Sequence, residues 1–424
     1  LHLATAWALM TSSQHAWRSL NVASEILKSD PFQKQAEEHL PEGSEDRCAK
    51  AATLSAFLEL REQAGPLDED ALRLALDREG RRRLQATLEG IKSYQSHPYR
   101  RLMSPVPIVA QMGSATLLDY SRTIAPSTKD GLAVANGRPV LVVPSLVNRS
   151  YFLDLMEDRS FMRFLAAQGL RPFLVNWGSP VGEERGWTLT DYINGPLRTF
   201  FDHVCSVDAQ KPILLGYCMG GNLALALAQE VQSACAAMVL LATPWNFHAD
   251  GAAAGQSVAS VMELWHPAVE QFGVLPTDAL QSLFASVDPI SIPRKFATFA
   301  RLPKDSPAAR NFVALEDWLA DGVALAAPVA EECLVRWYGN NDPARGLWAV
   351  AGDYIVPEKL VLPSLVVVPL KDRIVPPGSA LDLADKIPGA HVLKPALGHV
   401  SMMAGGRAYA KSWTPIAHWL NEME

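Results

Sequence analysis

The stretch Leu214-Leu215-Gly216-Tyr217-Cys218-Met219-Gly220-Gly221-Asn222-Leu223-Ala224-Leu225-Ala226-Leu227-Ala228 decides how the chain is read. Its first half is an apolar run and its second a series of good helix formers, and the glycines between them leave room for a sharp turn. A strand, a turn and a helix in that order present the apical residue, Cys218, at the mouth of a sheet. There the nucleophile is held in a strained backbone conformation. The N–H of Met219 can donate to an oxyanion, and the start of a helix favours a thiolate. The competing reading is a small buried hydrophobe at a tight helix–sheet contact, so the rest of the chain has to arbitrate.

It supplies strands that alternate with helices. Gly137-Arg138-Pro139 introduces Val140-Leu141-Val142-Val143, a continuous apolar run of the kind a buried parallel strand needs. A helical stretch around Phe161–Leu165 leads to a strand over Pro172–Trp177. Thr188-Leu189-Thr190-Asp191 carries the capping residues of another helix. Beyond Cys218 and its helix, Ala237–Leu241 is the next strand, and strands return at Leu362–Val368 and His391–Lys394. This is the signature of a parallel sheet covered on both faces. In that setting Gly216-x-Cys218-x-Gly220 resembles the nucleophile elbow of α/β hydrolases, with cysteine where most members carry serine. The fold class expected is α/β: an α/β-hydrolase fold with a mostly parallel central sheet, a helical cap inserted before the last strands, and a small helical N-terminal region.

Four segments follow. Residues 1–105 form the helical N-terminal region, 106–243 the first part of the core, 244–348 a cap and 349–424 the second part of the core. The N-terminal region packs against the main domain or offers a surface for a partner, a dimer contact or a hydrophobic granule. Its apolar opening, Leu1–Met10, reads as a helix and not a signal peptide, because no basic segment precedes it. The cap is rich in aromatics, among them Trp265, Phe272, Phe284, Phe296, Trp318, Trp337 and Tyr338, which would suit a greasy acyl substrate.

Composition narrows the function classes. The 424 residues are 49% hydrophobic and 20% charged with a net charge of −7, a globular make-up that argues against a nucleic-acid partner. The five cysteines, Cys48, Cys205, Cys218, Cys235 and Cys333, are scattered and form no Cys-x-x-Cys pair. Neither a disulfide framework nor a metal site is expected, and with no apolar run of transmembrane length the reading is a reducing cytoplasm.

The remaining catalytic groups come from the loops after the late strands. Asp372, in Leu370-Lys371-Asp372-Arg373-Ile374-Val375-Pro376, occupies the turn where the acid of an α/β-hydrolase triad sits, and His399, in Leu397-Gly398-His399-Val400, follows the last strand. The order nucleophile, acid, histidine belongs to this fold. His399 would take the thiol proton of Cys218 and Asp372 would fix the imidazole tautomer. The oxyanion hole is expected from two backbone N–H groups, that of Met219 and that of Val147 or its neighbour Leu146, in the loop Pro144–Asn148. His248, His203, Asp342 and Asp353 rank below these, and Arg149, Arg185 and Arg373 are candidate phosphate contacts only by position.

The elbow Gly216-Tyr217-Cys218-Met219-Gly220-Gly221 resembles that of polyhydroxyalkanoate synthases. So do Val143–Leu155, Phe173–Trp177, Asp191-Tyr192-Ile193, Lys371–Pro376 and Gly398-His399. Two departures stand out. Asn222 replaces the threonine that generally follows the glycine pair, and Asp317-Trp318-Leu319-Ala320-Asp321-Gly322 is the nearest counterpart of the family's Phe-Trp-Asn motif. The resemblance implies acyl transfer from a 3-hydroxyacyl-CoA substrate to cysteine, then attack by a hydroxyl of another monomer or of a growing polyester chain. It implies no cofactor besides the acyl-CoA, a location at a polyester granule surface, and a homodimer as the candidate assembly. The alternative on the same triad is a hydrolase, either an acyl-CoA thioesterase or an intracellular polyester depolymerase, in which water replaces the hydroxyl. A granule-binding protein with a vestigial site is the non-enzymatic alternative.

Overall fold

A computed structural model describes residues 69–123, 137–288 and 291–423. The readings made for Leu1–Met10 and for Cys48 lie outside them. The chain divides into two compact units, one of residues 1–97 with 289–303 and one of 98–288 with 304–424.

The larger unit is built on an eight-stranded sheet: β1 (Ile108–Met112), β2 (Ala115–Asp119), β3 (Pro139–Val143), β4 (Arg171–Asn176), β5 (Ile213–Tyr217), β6 (Ala237–Leu241), β7 (Ser364–Val367) and β8 (His391–Leu393). Their spatial order is β1-β2-β4-β3-β5-β6-β7-β8. Strands β3 to β8 run parallel to their neighbours, whereas β2 is antiparallel to both β1 and β4. The hairpin β1-β2 had no counterpart in the expected strands. Its signal was local: Gly113-Ser114 joins Met112 to Ala115 in register, and Gly113 has φ +58°, the conformation a two-residue hairpin turn asks of glycine.

The central strands β3, β5 and β6 are buried at every position. Strand side chains alternate between faces, so Leu141, Val143 and Leu214 join one core cluster while Val140, Val142, Ile213 and Leu215 join the other. The first core includes the helix Met219–Val231 together with Trp245, Trp337 and Trp348; the second includes Phe161, Met162, Trp413, Ile416 and Trp419. Each fully buried aliphatic chain of this kind stabilises the fold by about 1.5–3 kcal/mol relative to exposure. That burial is what holds the C-terminal ends of the strands in register, where ligands bind in open α/β sheets.

Between β6 and β7 lie the helices Ala252–Phe272, Thr277–Val287, Ser291–Phe299 and Pro307–Ala320. Residues 244–348 do not behave as one piece. The segment 289–303 clusters with the N-terminal helix Glu69–Gln95. In that unit Thr87 Oγ1 donates to the Pro293 carbonyl at 3.4 Å, and Tyr94 meets Phe296 edge-on with centroids 5.9 Å apart. Among the described residues no helix is long and apolar enough to cross a membrane.

At the elbow, glycine is required by close approach. A Cβ on Gly216 would lie 2.3 Å from the Gly221 Cα, and one on Gly220 would lie 2.1 Å from the Val143 carbonyl oxygen. We therefore expect Gly220→Ala to destabilise the protein by about 1–3 kcal/mol in urea unfolding. Gly80→Ala, on an open helix face with nothing within 4 Å, should be neutral or stabilising by up to about 1 kcal/mol. Equal midpoints for Gly220→Ala and the parent protein would contradict the packing argument.

Candidate active site

Cys218 sits between β5 and the helix Met219–Val231 with φ 54° and ψ −130°. A non-glycine residue seldom takes this conformation, and here the sheet imposes it. The Cys218 N–H donates to the Leu241 carbonyl on β6 at 2.8 Å, and the Gly221 N–H returns to the Cys218 carbonyl at 2.8 Å. The thiol is partly exposed. Met219, as the first residue of the helix, has an N–H with no partner inside it.

The pairing of β7 with β8 extends past both strands and brings the other two groups side by side. The N–H groups of Val368, Leu370 and Lys371 donate to the carbonyls of Leu393, Pro395 and Leu397 at 2.8, 2.9 and 2.8 Å. Asp372 is the next residue on the first path, and His399 lies two residues beyond Leu397 on the second. His399 Nδ1 donates to Asp372 Oδ2 at 2.6 Å, with both side chains buried. The other carboxylate oxygen, Oδ1, accepts from the N–H groups of Ile374 and Val375 at 2.8 and 2.9 Å. Both oxygens of Asp372 are thus engaged, which fixes the carboxylate and with it the ring.

With Nδ1 committed to Asp372, Nε2 is the ring nitrogen left to serve Cys218. Burial, the largest influence on His399, works against protonation. The negative charge that Cys218 can carry and the hydrogen bond to Asp372 outweigh it and push the imidazole up to about 10. A base held in this way is what a cysteine nucleophile needs to lose its proton. Burial pushes the Cys235 thiol up to about 12 and raises Cys205 and Cys333 as well.

The loop after β3 completes the site, because β3 lies beside β5 with Val143 opposite Gly216. The indole of Trp177, which follows β4, donates to the Pro144 carbonyl at 2.9 Å. Val147, expected as an oxyanion donor, gives its N–H to Ser145 Oγ at 3.1 Å. That weak, exchangeable contact would have to yield to a substrate oxygen. Tyr217, buried beside the nucleophile, donates its hydroxyl to the His399 carbonyl at 3.3 Å with the two rings 5.1 Å apart. Tyr217 and Trp177 were visible in the quoted motifs, but their partners lie 182 and 33 residues away, a distance no local pattern spans.

The lower-ranked candidates find other work. His248 Nε2 bonds the Tyr338 carbonyl at 2.8 Å, His203 lies in the helix Arg198–Val207, and Asp353 is exposed in a short strand. Asp342 gives its N–H to the Arg336 carbonyl at 3.0 Å. Arg149 and Arg373 pair with Asp321 and Asp288, and Arg185 donates to the Phe272 carbonyl.

A family model for the alpha/beta hydrolase fold matches residues 138–405, more than half of the chain. A poly(3-hydroxyalkanoate) polymerase subunit PhaC from Synechocystis is 30% identical over 68% of this chain and 78% of its own length. The chain belongs to the polyhydroxyalkanoate synthases of the α/β-hydrolase fold. A second PhaC relative, from Allochromatium vinosum, is 29% identical over 76% of this chain and 89% of its own length. The PhaC relative from Haloferax mediterranei is 28% identical, and there the match spans 58% of the relative's length. The elbow, the acid turn and the final histidine all fall inside residues 138–405, the range that the fold model matches.

Two outcomes follow from the charge pattern. Limiting iodoacetamide should label Cys218 before Cys235 and Cys333, read by peptide mass mapping; early labelling of Cys333 would contradict the assignment. Because His399 is raised above its ordinary value near 6.5, its stabilising contribution is fully present below about pH 6.5 and drains away as pH rises through about 10. The melting temperature of the parent protein should therefore fall more steeply between pH 7 and 10 than that of His399→Gln. Parallel curves would contradict the pairing.

Proposed function

We propose that the protein is a polymerising acyltransferase that builds polyhydroxyalkanoate from 3-hydroxyacyl-CoA. The observation that carries this reading is the buried Asp372–His399 pair together with the partly exposed Cys218 on a strained elbow, in a chain whose relatives are named as polymerase subunits. In the first half-reaction the Cys218 thiolate attacks the thioester carbonyl. The resulting oxyanion is held by the backbone N–H groups of Met219 and Val147. As it collapses, the C–S bond to CoA breaks, and the departing thiolate takes the proton from His399.

The neutral imidazole then removes a proton from the hydroxyl of a second monomer or of the chain end. That oxygen attacks the acyl-cysteine carbonyl, an ester forms, and the Cys218 thiolate is released. Asp372 keeps Nδ1–H directed at its own Oδ2 throughout, which leaves Nε2 as the site of proton exchange. Sulfur is suited to this donor. Exchange of one thioester for another is nearly balanced in free energy, so the activation carried by CoA survives until the ester is made. The aromatic stretches 244–288 and 304–348 of the larger unit are our proposed cap over the acyl group, and the polyester or its granule the proposed surface partner.

The test is incubation of purified protein with 3-hydroxybutyryl-CoA, following thiol release and sizing the acyl product. Thiol release with high-mass polyester is expected. Cys218→Ala should abolish it by about 10⁴-fold or more, and Asp372→Asn should slow it by roughly 10²–10⁴-fold with little change in fold. Free 3-hydroxybutyrate as the sole product, or turnover that survives Cys218→Ala, would contradict the proposal.

A further inference from the structure

The oxyanion loop is held at both ends by indole N–H groups from different parts of the chain. At its start, Trp177 donates to the Pro144 carbonyl; at its end, the buried Trp318, on the helix Pro307–Ala320, donates to the Arg149 carbonyl at 2.8 Å. Around the second contact, Asn148 forms an antiparallel bridge with Gly322, and Arg149 Nε reaches Asp321 Oδ1 at 3.3 Å. The Trp318 ring also stacks on Phe152, with centroids 4.3 Å apart and planes at 23°. Phe152 in turn meets Tyr217 at 5.6 Å, the residue before the nucleophile.

These contacts are more numerous than packing alone needs. A loop backbone whose carbonyls are tied at residues 144 and 149 has little freedom to swing the N–H groups of residues 146 and 147, which lie between. Preorganised donors stabilise an oxyanion better than mobile ones because no reorganisation is left for the moment of reaction. We propose that Trp318, with Asp321, is a positioning residue: it acts through the Arg149 and Asn148 backbone to aim the oxyanion loop, and so couples the inserted helix Pro307–Ala320 to the acylation step. This rests on the acyl-transfer reading above. It also gives a job to the Asp317–Gly322 stretch at which the chain departs from the Phe-Trp-Asn pattern, since here the indole and the aspartate make the contacts and Leu319 replaces the amide.

The experiment compares the full chain with Trp318→Phe, which keeps an aromatic ring for Phe152 and removes only the donor. Two readouts are taken: hydrogen–deuterium exchange by peptide mass, and kcat and KM with 3-hydroxybutyryl-CoA. Exchange over residues 145–149 should rise about tenfold while that of β5 stays unchanged, and kcat should fall about tenfold with KM within twofold. Asp321→Ala, at a half-exposed side chain, should move both readouts in the same direction by less, and it decides the matter if Trp318→Phe does not fold. Unchanged exchange over 145–149, or a rise of equal size throughout the protein, would overturn the proposal, as would an unchanged kcat. A parent protein that releases no CoA would instead remove the acyl-transfer reading, and the exchange comparison would still judge the positioning role.

Discussion

A carboxylate buried in apolar surroundings is costly unless its oxygens are satisfied and a cation lies beside it. Asp372 meets that constraint with two backbone N–H groups on one oxygen and His399 on the other, and the rest of the site follows from it. The extended β7–β8 backbone ladder exists where those two residues must meet. The imidazole, fixed by the acid, has one nitrogen left, and the elbow presents a partly exposed thiol to use it. Removing Asp372 would leave a buried, protonatable ring without its orienting acceptor, which is why the acid matters for tautomer and charge more than for stability.

The nucleophile's strain is supported by the same sheet. Cys218 at φ 54° is an unfavourable conformation of order 1–3 kcal/mol, offset by the hydrogen bond to Leu241 and by the close glycine contacts beneath it. Because β3, β5 and β6 are buried on both faces, the elbow has no slack through which to relax. The sulfur and the imidazole are therefore placed by core packing.

Much of this was legible in the residues. The strand–turn–helix around Cys218, the acid turn at Asp372 and the late His399 are local patterns with fixed order, and the parallel strands announce themselves as uninterrupted apolar runs. What stayed hidden was long-range or weakly patterned. The β1-β2 hairpin is short and half-exposed, so its alternation is faint. The grouping of 289–303 with Glu69–Gln95 depends on side chains such as Thr87 and Phe296 that look ordinary in sequence. The second tie on the oxyanion loop joins residues 149 and 318, and only folding brings them within 2.8 Å.

The most direct test of the central claim uses butyryl-CoA, which can acylate the nucleophile but carries no 3-hydroxyl with which to extend a chain. Intact-mass and peptide-mass measurement after brief incubation should show one butyryl group, on the peptide that contains Cys218, with CoA released in equal amount. No adduct, or an adduct confined to another residue, would contradict the account of Cys218 as the acyl-carrying nucleophile.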